Sequence, residues 1–225
     1  MPVPISTPSG IRRRLRKDEV FDRLLDAILD GTLLPGERIR DVDLQEWFGV
    51  SRTPIRLAID RLEELRLVES RPNRYTRVAE VTPRRIPQAT DVMCALWRLA
   101  VQLSVTRLTD DQVADSRARL AKASAICRSH EGADATGLVE EIRHALFFFS
   151  EHSGNRLLAE MVVKLGVSLR FQASKQGLLL DGGLLACVFD DLAAAVADRD
   201  EARAAAVFSR MENGAFFLPA GRGAR

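Results

Sequence analysis

Along the first eighty residues the apolar positions fall into three helical stripes and then change period. In "DEVFDRLLDAIL" Val20, Leu24, Ala27 and Ile28 recur three and four apart, with Phe21 and Leu25 widening the stripe. That spacing predicts an amphipathic helix that begins near Ile11 and ends at Gly31. "LLPGERI" reads as a turn around Pro35 and Gly36. "DVDLQEWF" predicts a short second helix, with Leu44 and Phe48 four apart and Gly49 as its stop. A third follows at once, in which Ile55, Ala58, Ile59, Leu62 and Leu65 share one face. Ser51 is its candidate N-cap, and Pro54 lies in the first turn, where a missing N–H costs no intrahelical bond. Past Leu65 the period shortens to two. "RLVESR" and "RYTRVAEV" predict strands joined at "RPNR", where Pro72 and Asn73 suit a tight turn. Helix, helix, turn, helix and hairpin, in that order, make a winged helix-turn-helix.

From "TPRRIP" onward the pattern is different. Pro83 and Pro87 bracket a basic linker, and helical periodicity then predicts helices at about 88–107, 110–129, 136–152, 155–176, 183–198 and 200–214. Asp110 and Asp200 mark starts; "EGADATG", "SGN" and "LLDGG" mark breaks. Strand alternation and internal repeats are absent from this stretch. The expected fold class is therefore mainly α: a winged helix-turn-helix domain over residues 11–82, then an all-α helical bundle over 86–216.

Composition changes this picture little. The chain has 225 residues, 46% of them hydrophobic, enough for two modest cores. Its formal charge is +2, but through Arg85 there are 17 Lys/Arg against 14 Asp/Glu, and after it 16 against 17. A polyanion contact must therefore come from clustered charge and not from overall basicity. Cys94, Cys127 and Cys187 are odd in number and in no CxxC or Cys/His pattern, which suits buried thiols in a reducing compartment. "MPVPISTPSG" has no signal-like apolar core and reads as a flexible arm, and no apolar run approaches the roughly 20 residues that span a bilayer. The expectation is a soluble, cytoplasmic protein. An enzyme is not expected: there is no Ser/His/Asp order, phosphate-cradling Gly-rich loop or paired-carboxylate spacing, and no cofactor motif.

The chemistry concentrates at "GVSRTPIRLAIDRL". Leu44, Phe48, Val50, Ile55, Ile59 and Leu62 can close a small core if the second and third helices cross steeply through Gly49. The outer edge of the third helix then carries Arg52, Thr53 and Arg56 at its N-terminus, where free N–H groups also favour phosphate. A helix presented this way fits the major groove, with arginine bidentate to guanine and threonine on a phosphate or thymine methyl. The alternative is a solvated face in which Arg52 and Arg56 pair with Asp60 and Glu63.

The stretch from Asp30 to Val78, with its "PGE" turn, "GVSRTPIR" helix start and "RLEELRLV" exit, carries a resemblance to the DNA-binding domain of GntR-type bacterial transcription regulators that covers about 65 residues in all. The resemblance implies operator binding as a homodimer. It puts Ser51, Arg52, Thr53 and Arg56 on double-stranded DNA, Arg38 or Arg40 on its backbone, and the wing tip, Arg74, Tyr75 and Thr76, in the minor groove. Such wings usually carry glycine at the tip, and here Tyr75 stands there: its ring lies on the sugar-phosphate edge or packs on its own hairpin, while Arg74 and Arg77 supply charge. "RRRLRK", Arg12 to Lys17, is either a further phosphate clamp or a solvated helix start.

"EEIRHALFFFSEHSGNRLLAEMV" resembles the FadR-like (FCD) ligand-sensing domain, over about residues 88–214. Some members hold a divalent ion on an Asp, a His four residues later and two further histidines. Glu140 and His144 stand at the first pair, and Phe189 and Met211 at the other two, so no metal is expected. A set of Glu140, His144 and His152 is conceivable; a hydrogen-bonded pocket-wall histidine is commoner, and His130 reads as an exposed loop residue. The losses make an apolar pocket that suits a small-molecule effector with a large apolar part, and Arg143, Arg170 or Arg98 can hold an acid group. The expected effector residues are Glu140, Arg143, His144, Phe189 and Met211; Phe147, Phe148 and Phe149 span too wide an arc for a pocket alone, so at least one is assigned to an interface. The leading reading is an effector-modulated transcription regulator, a repressor by the family's habit, and the competing one is an architectural DNA-binding protein whose helical domain dimerises without sensing a ligand.

Overall fold

The computed structural model describes residues 17–71, 74–82, 84–129, 135–176 and 179–218. The expectations for the arm, the Arg12–Arg16 cluster, the Pro72–Asn73 turn, Pro83 and His130 lie outside them. The chain divides into two compact units that meet between Val81 and Thr82.

In the first unit α1 (Lys17–Asp30) buries Val20, Leu24, Ala27 and Ile28 against α3 (Arg52–Glu64). Between them α2 (Asp41–Phe48) contributes Leu44 and Phe48. Gly49 ends α2 in the left-handed region, φ 65°, where its N–H donates to the Gln45 carbonyl at 2.9 Å. A Cβ there would meet nothing within 4 Å, so the requirement is conformational and not steric. α3 buries Ile55, Ala58, Ile59 and Leu62, but Val50 is only half-buried. Ser51 occupies the N-cap position with extended backbone, yet its hydroxyl makes no cap bond; that expected role is corrected.

β1 (Val68–Arg71) and β2 (Tyr75–Val78) pair antiparallel, Val68 opposite Val78 and Arg71 opposite Tyr75. The "ERI" segment joins them: Gly36 N–H donates to the Val78 carbonyl, Val78 N–H to Glu37, and Ile39 N–H to Thr76, so Arg38 bridges to Arg77. A single bridge leaves no period-two signature, and sequence reading took this stretch for a turn.

Among the described residues the second unit is helical apart from one short ladder. α4 (Arg85–Ser104) runs into a 3-10 turn at Val105–Arg107, followed by α5 (Asp110–Ser129), α6 (Ala135–Glu151), α7 (Arg156–Gln176), α8 (Gly182–Ala197) and α9 (Glu201–Ala206). α5 packs on α8, and α6 on α7, around a core that includes Phe149, Phe189 and Phe208. Thr109 and Gln112 cap α5 reciprocally, backbone to side chain, at 2.9 and 3.3 Å, so the cap is Thr109 and Asp110 is the first helical residue. Asp200 does cap α9, accepting from Arg203 N–H at 2.9 Å.

Two expectations change here. The helix expected at 200–214 breaks into α9 and a 3-10 stretch, Val207–Gly214, kinked where Asn213 and Gly214 take φ 56° and 67°. The turn lets β4 (Phe217–Leu218) pair with β3 (Leu179–Leu180), a two-residue ladder in a region expected to be free of strands. All three phenylalanines of "FFF" pack inside this unit: Phe148 and Phe149 are buried, in edge contact at 5.5 Å, and Phe147 lies against the same core. No helix among the described residues is long and apolar enough to cross a membrane.

Candidate nucleic-acid interface and buried cavity

α3 is held from behind by its apolar side, so its front edge is free. Ser51, Arg52, Thr53 and Arg56 are exposed, the two arginine side chains by 68% and 56%. Neither pairs with Asp60 or Glu63. Both reach back to Asp41 at the start of α2, whose Oδ2 accepts from Arg52 Nε at 2.6 Å and from Arg56 Nη1 at 3.5 Å. Asp41 is itself only 14% exposed. Arg52 is held through Nε, and its two terminal nitrogens have no partner among the described residues, which leaves them available for bidentate base recognition. Sequence reading missed Asp41: eleven residues from Arg52 and on another helix, it comes near only once α2 and α3 cross.

Arg38 and Arg40 are exposed on the segment before α2. At the wing Arg74 is exposed and Tyr75 half-buried. The Arg77 guanidinium lies 4.8 Å from the Tyr75 ring centroid and is engaged by Glu69 at 3.1 Å and Glu80 at 2.6 Å. The ring therefore packs on its own hairpin, and Arg77 is a brace more than a free charge. Its hydrogen bond to Glu69 and the charge of Glu80 raise its pKa. Thr76 is half-buried, with its hydroxyl 3.3 Å from that of Ser70.

Asp41→Asn is expected to leave the fold intact and blunt discrimination. Each arginine then has to be immobilised on binding at a cost of about 0.5–1.5 kcal/mol. Loss of a carboxylate beside DNA also favours every sequence equally. Fluorescence anisotropy with specific and scrambled duplexes should show a several-fold smaller affinity ratio than wild type; an unchanged ratio means Asp41 positions nothing.

In the helical unit the expected effector residues do not converge. Phe189 and Met211 are fully buried in the core. Glu140 and His144 lie on the outer flank of α6, 34% and 59% exposed and 3.3 Å apart. Arg143 grips Glu140 through two nitrogens at 3.1 and 2.5 Å, and Arg170 stands 3.9 Å away. The hydrogen bond from Arg143, helped by the charges of Arg143, Arg170 and His144, holds the Glu140 carboxyl below its ordinary value despite partial burial. Of the other candidates, Arg98 pairs with Glu212, and His152 bonds the Phe148 carbonyl through Nδ1 at 2.8 Å while stacking on its ring. With phenylalanine and methionine at the two remaining positions, these residues do not fit a divalent ion, and among the described residues no three His, Cys, Asp or Glu side chains gather for one.

His144 lines an outer hollow with Arg119, Lys122, Glu141 and Ala145, and a more apolar cavity lies between α4, α6 and α7. Met93 and Trp97 face it from α4, Val139, Ile142 and Arg143 from α6, Gly166 and Leu169 from α7, and Phe216 and Phe217 close it. Of the expected set only Arg143 lines it. Burial pushes the Cys94 thiol up to about 12 and that of Cys127 to about 11, so both stay protonated; Cys187, expected buried with them, is exposed.

Glu140→Gln tests the cluster by pH. Because the folded-state pKa of Glu140 is depressed, its carboxylate stabilises the protein above the ordinary value of 4.5, and this contribution is lost as pH falls through the depressed value. Thermal melts should show the variant less stable near neutrality and the gap closing in acid; a gap independent of pH would mean that the charge is not what matters.

A winged helix-turn-helix with an arginine-bearing helix edge, followed by a helical bundle, defines a class of DNA-binding protein, and the comparisons narrow it. Residues 16–78 match the sequence model of the family described as bacterial regulatory proteins, gntR family. YdhC of Bacillus subtilis, an uncharacterised HTH-type transcriptional regulator, is 27% identical over 64% of this chain and 65% of that protein. McbR of Escherichia coli, an HTH-type transcriptional regulator, is 28% identical over 62% of each. Its solved structure covers 87% of this chain and 92% of its own with a TM-score of 0.64 and 22% identity, a likeness of fold. A probable repressor of a D-xylose utilization operon from Paenarthrobacter nicotinovorans is 29% identical over 44% of each. The chain spans less than two thirds of these curated relatives. Over residues 16–78 the chain is thus similar to gntR-family regulatory proteins, and YdhC and McbR are HTH-type transcriptional regulators.

Proposed function

We propose that the protein is a sequence-specific transcription regulator that binds double-stranded operator DNA as a homodimer in the cytoplasm, and that a small molecule held by the helical unit, of FadR-like type, sets its operator affinity. The observation that carries this reading is the free edge of α3: Arg52, Thr53 and Arg56 stand exposed on a helix whose opposite face is fully buried. Arg38 and Arg40 serve as backbone contacts, and Arg74, Tyr75 and Thr76 bring the wing to the neighbouring groove. Repression is the proposed direction, supported by the repressor among the relatives.

Effector control requires the ligand to bind the DNA-competent and DNA-free states unequally. Selection of bound sequences from random duplex DNA tests the core of the proposal. A palindrome with half-sites about one or two helical turns apart is the expected product; recovery of no preferred sequence overturns specific recognition and leaves an architectural role.

A further inference from the structure

Of the eight large apolar side chains exposed among the described residues, five lie in the helical unit on α4 and α7, which pack side by side. On α4 they belong to a continuous stripe. Val92 is 50% exposed and Leu99 42%, and Leu96 and Leu103 are only partly covered by the core of their own unit. Spaced four, three and four residues apart, these side chains return to one side of the helix over about 16 Å. Met93, Trp97, Ala100 and Val101, all buried, occupy the adjoining side. A lone exposed leucine is ordinary, but an unbroken apolar stripe on a surface marks a place where another protein surface sits.

The order of the stripe says which surface. Its spacing is the same read from either end, so a second α4 laid antiparallel puts Val92 on the partner's Leu103 and Leu96 on the partner's Leu99. The reverse contacts follow by symmetry. This is the reciprocity of a two-fold interface, in which one residue meets a second and the second meets the first. Charge selects antiparallel over parallel. Arg84 and Arg85 stand at the N-terminus of α4, the positive end of its dipole, while Arg107, Asp110 and Asp111 follow its C-terminal end and Asp110 pairs with Arg199. Parallel pairing sets four arginines side by side. Antiparallel pairing separates them, and brings each pair to the negative end of the partner helix, where the two aspartates balance Arg107 and Arg199.

Resting on the reading of the protein as a homodimer, we infer that the exposed stripe of α4 is the surface on which two copies of the chain meet. The two helices pack antiparallel about an axis that passes between the levels of Trp97 and Arg98, with Leu96 and Leu99 of each copy at the centre and Val92 and Leu103 at the ends.

The test is sedimentation of the full chain over a range of concentrations, at which wild type is expected to be a dimer. Leu99→Glu puts a carboxylate from each copy into the contact and should raise the dimer dissociation constant about hundredfold. Leu34→Glu, at an exposed position of the winged unit, should leave it unchanged. Cysteine pairs give a second readout, which stands even where Leu99→Glu does not fold. In a Cys187→Ala background, which removes the exposed native thiol, Val92→Cys together with Leu103→Cys should link two copies on mild oxidation. Val92→Cys alone should not, because the antiparallel register holds the two positions about 16 Å apart. No linkage in the double variant, or ready linkage through Val92→Cys alone, overturns the antiparallel order. A dimer as tight in Leu99→Glu as in wild type overturns the face, and both results leave the homodimer standing. A wild-type chain that stays monomeric at every concentration is the separate result that removes the homodimer reading and the inference with it.

Discussion

Arg52→Ala combined with Arg56→Ala is expected to abolish operator recognition in a protein that still folds. The two guanidiniums project from the exposed edge of α3 and contribute nothing to its buried face, so no packing is lost; only the ion pairs to Asp41 disappear. Each base contact removed costs about 1–3 kcal/mol, and a dimer loses four. Specific binding exceeds non-specific binding by about 4–10 kcal/mol in such proteins, so losses of this size consume the margin. Anisotropy titrations should therefore give one affinity for operator and scrambled duplex, with the circular-dichroism melt near that of wild type. Arg40→Ala provides the contrast. As a backbone contact it should weaken both duplexes alike and reduce the salt slope by roughly 0.9 for each phosphate lost. Wild-type operator affinity in the double variant would remove α3 from the groove.

How legible this was depended on the length of the pattern. The stripe from Ile55 to Leu62 repeats over two turns against an opposite face of arginine, and α3 emerged with both faces correctly assigned. The bridge at Arg38 and the β3–β4 ladder are too short to alternate, and their partners come from distant turns, so nothing local marked them. The pairing of Arg52 and Arg56 with Asp41 is tertiary in the same way.

The expected effector residues lie apart for another reason. Glu140 and His144 were chosen by resemblance, whereas the chain's own periodicity runs through Leu138, Ile142, Ala145, Leu146 and Phe149, all buried. That stripe turns Glu140 and His144 to the flank and brings Ile142 and Arg143 to the cavity wall.

Leu62→Ala should unfold the winged unit alone. Leu62 is fully buried beneath the edge that carries Arg52 and Arg56, and its carbonyl accepts from Leu67 N–H at 2.9 Å as the chain leaves α3 for β1. Truncating a buried leucine costs about 2–5 kcal/mol. A unit of this size has, at about 0.05–0.15 kcal/mol per residue, only some 3–10 kcal/mol in all. At mid-range the substitution thus removes about half of the stability that holds the recognition edge outward. The helical unit has its own core around Phe149, Phe189 and Phe208 and loses nothing. Scanning calorimetry should show one transition lost or moved far down and the other in place, with DNA binding absent at temperatures where the bundle remains folded. If both transitions fall together, the two units do not fold independently, and a recognition helix carried on a separately stable domain is no longer tenable.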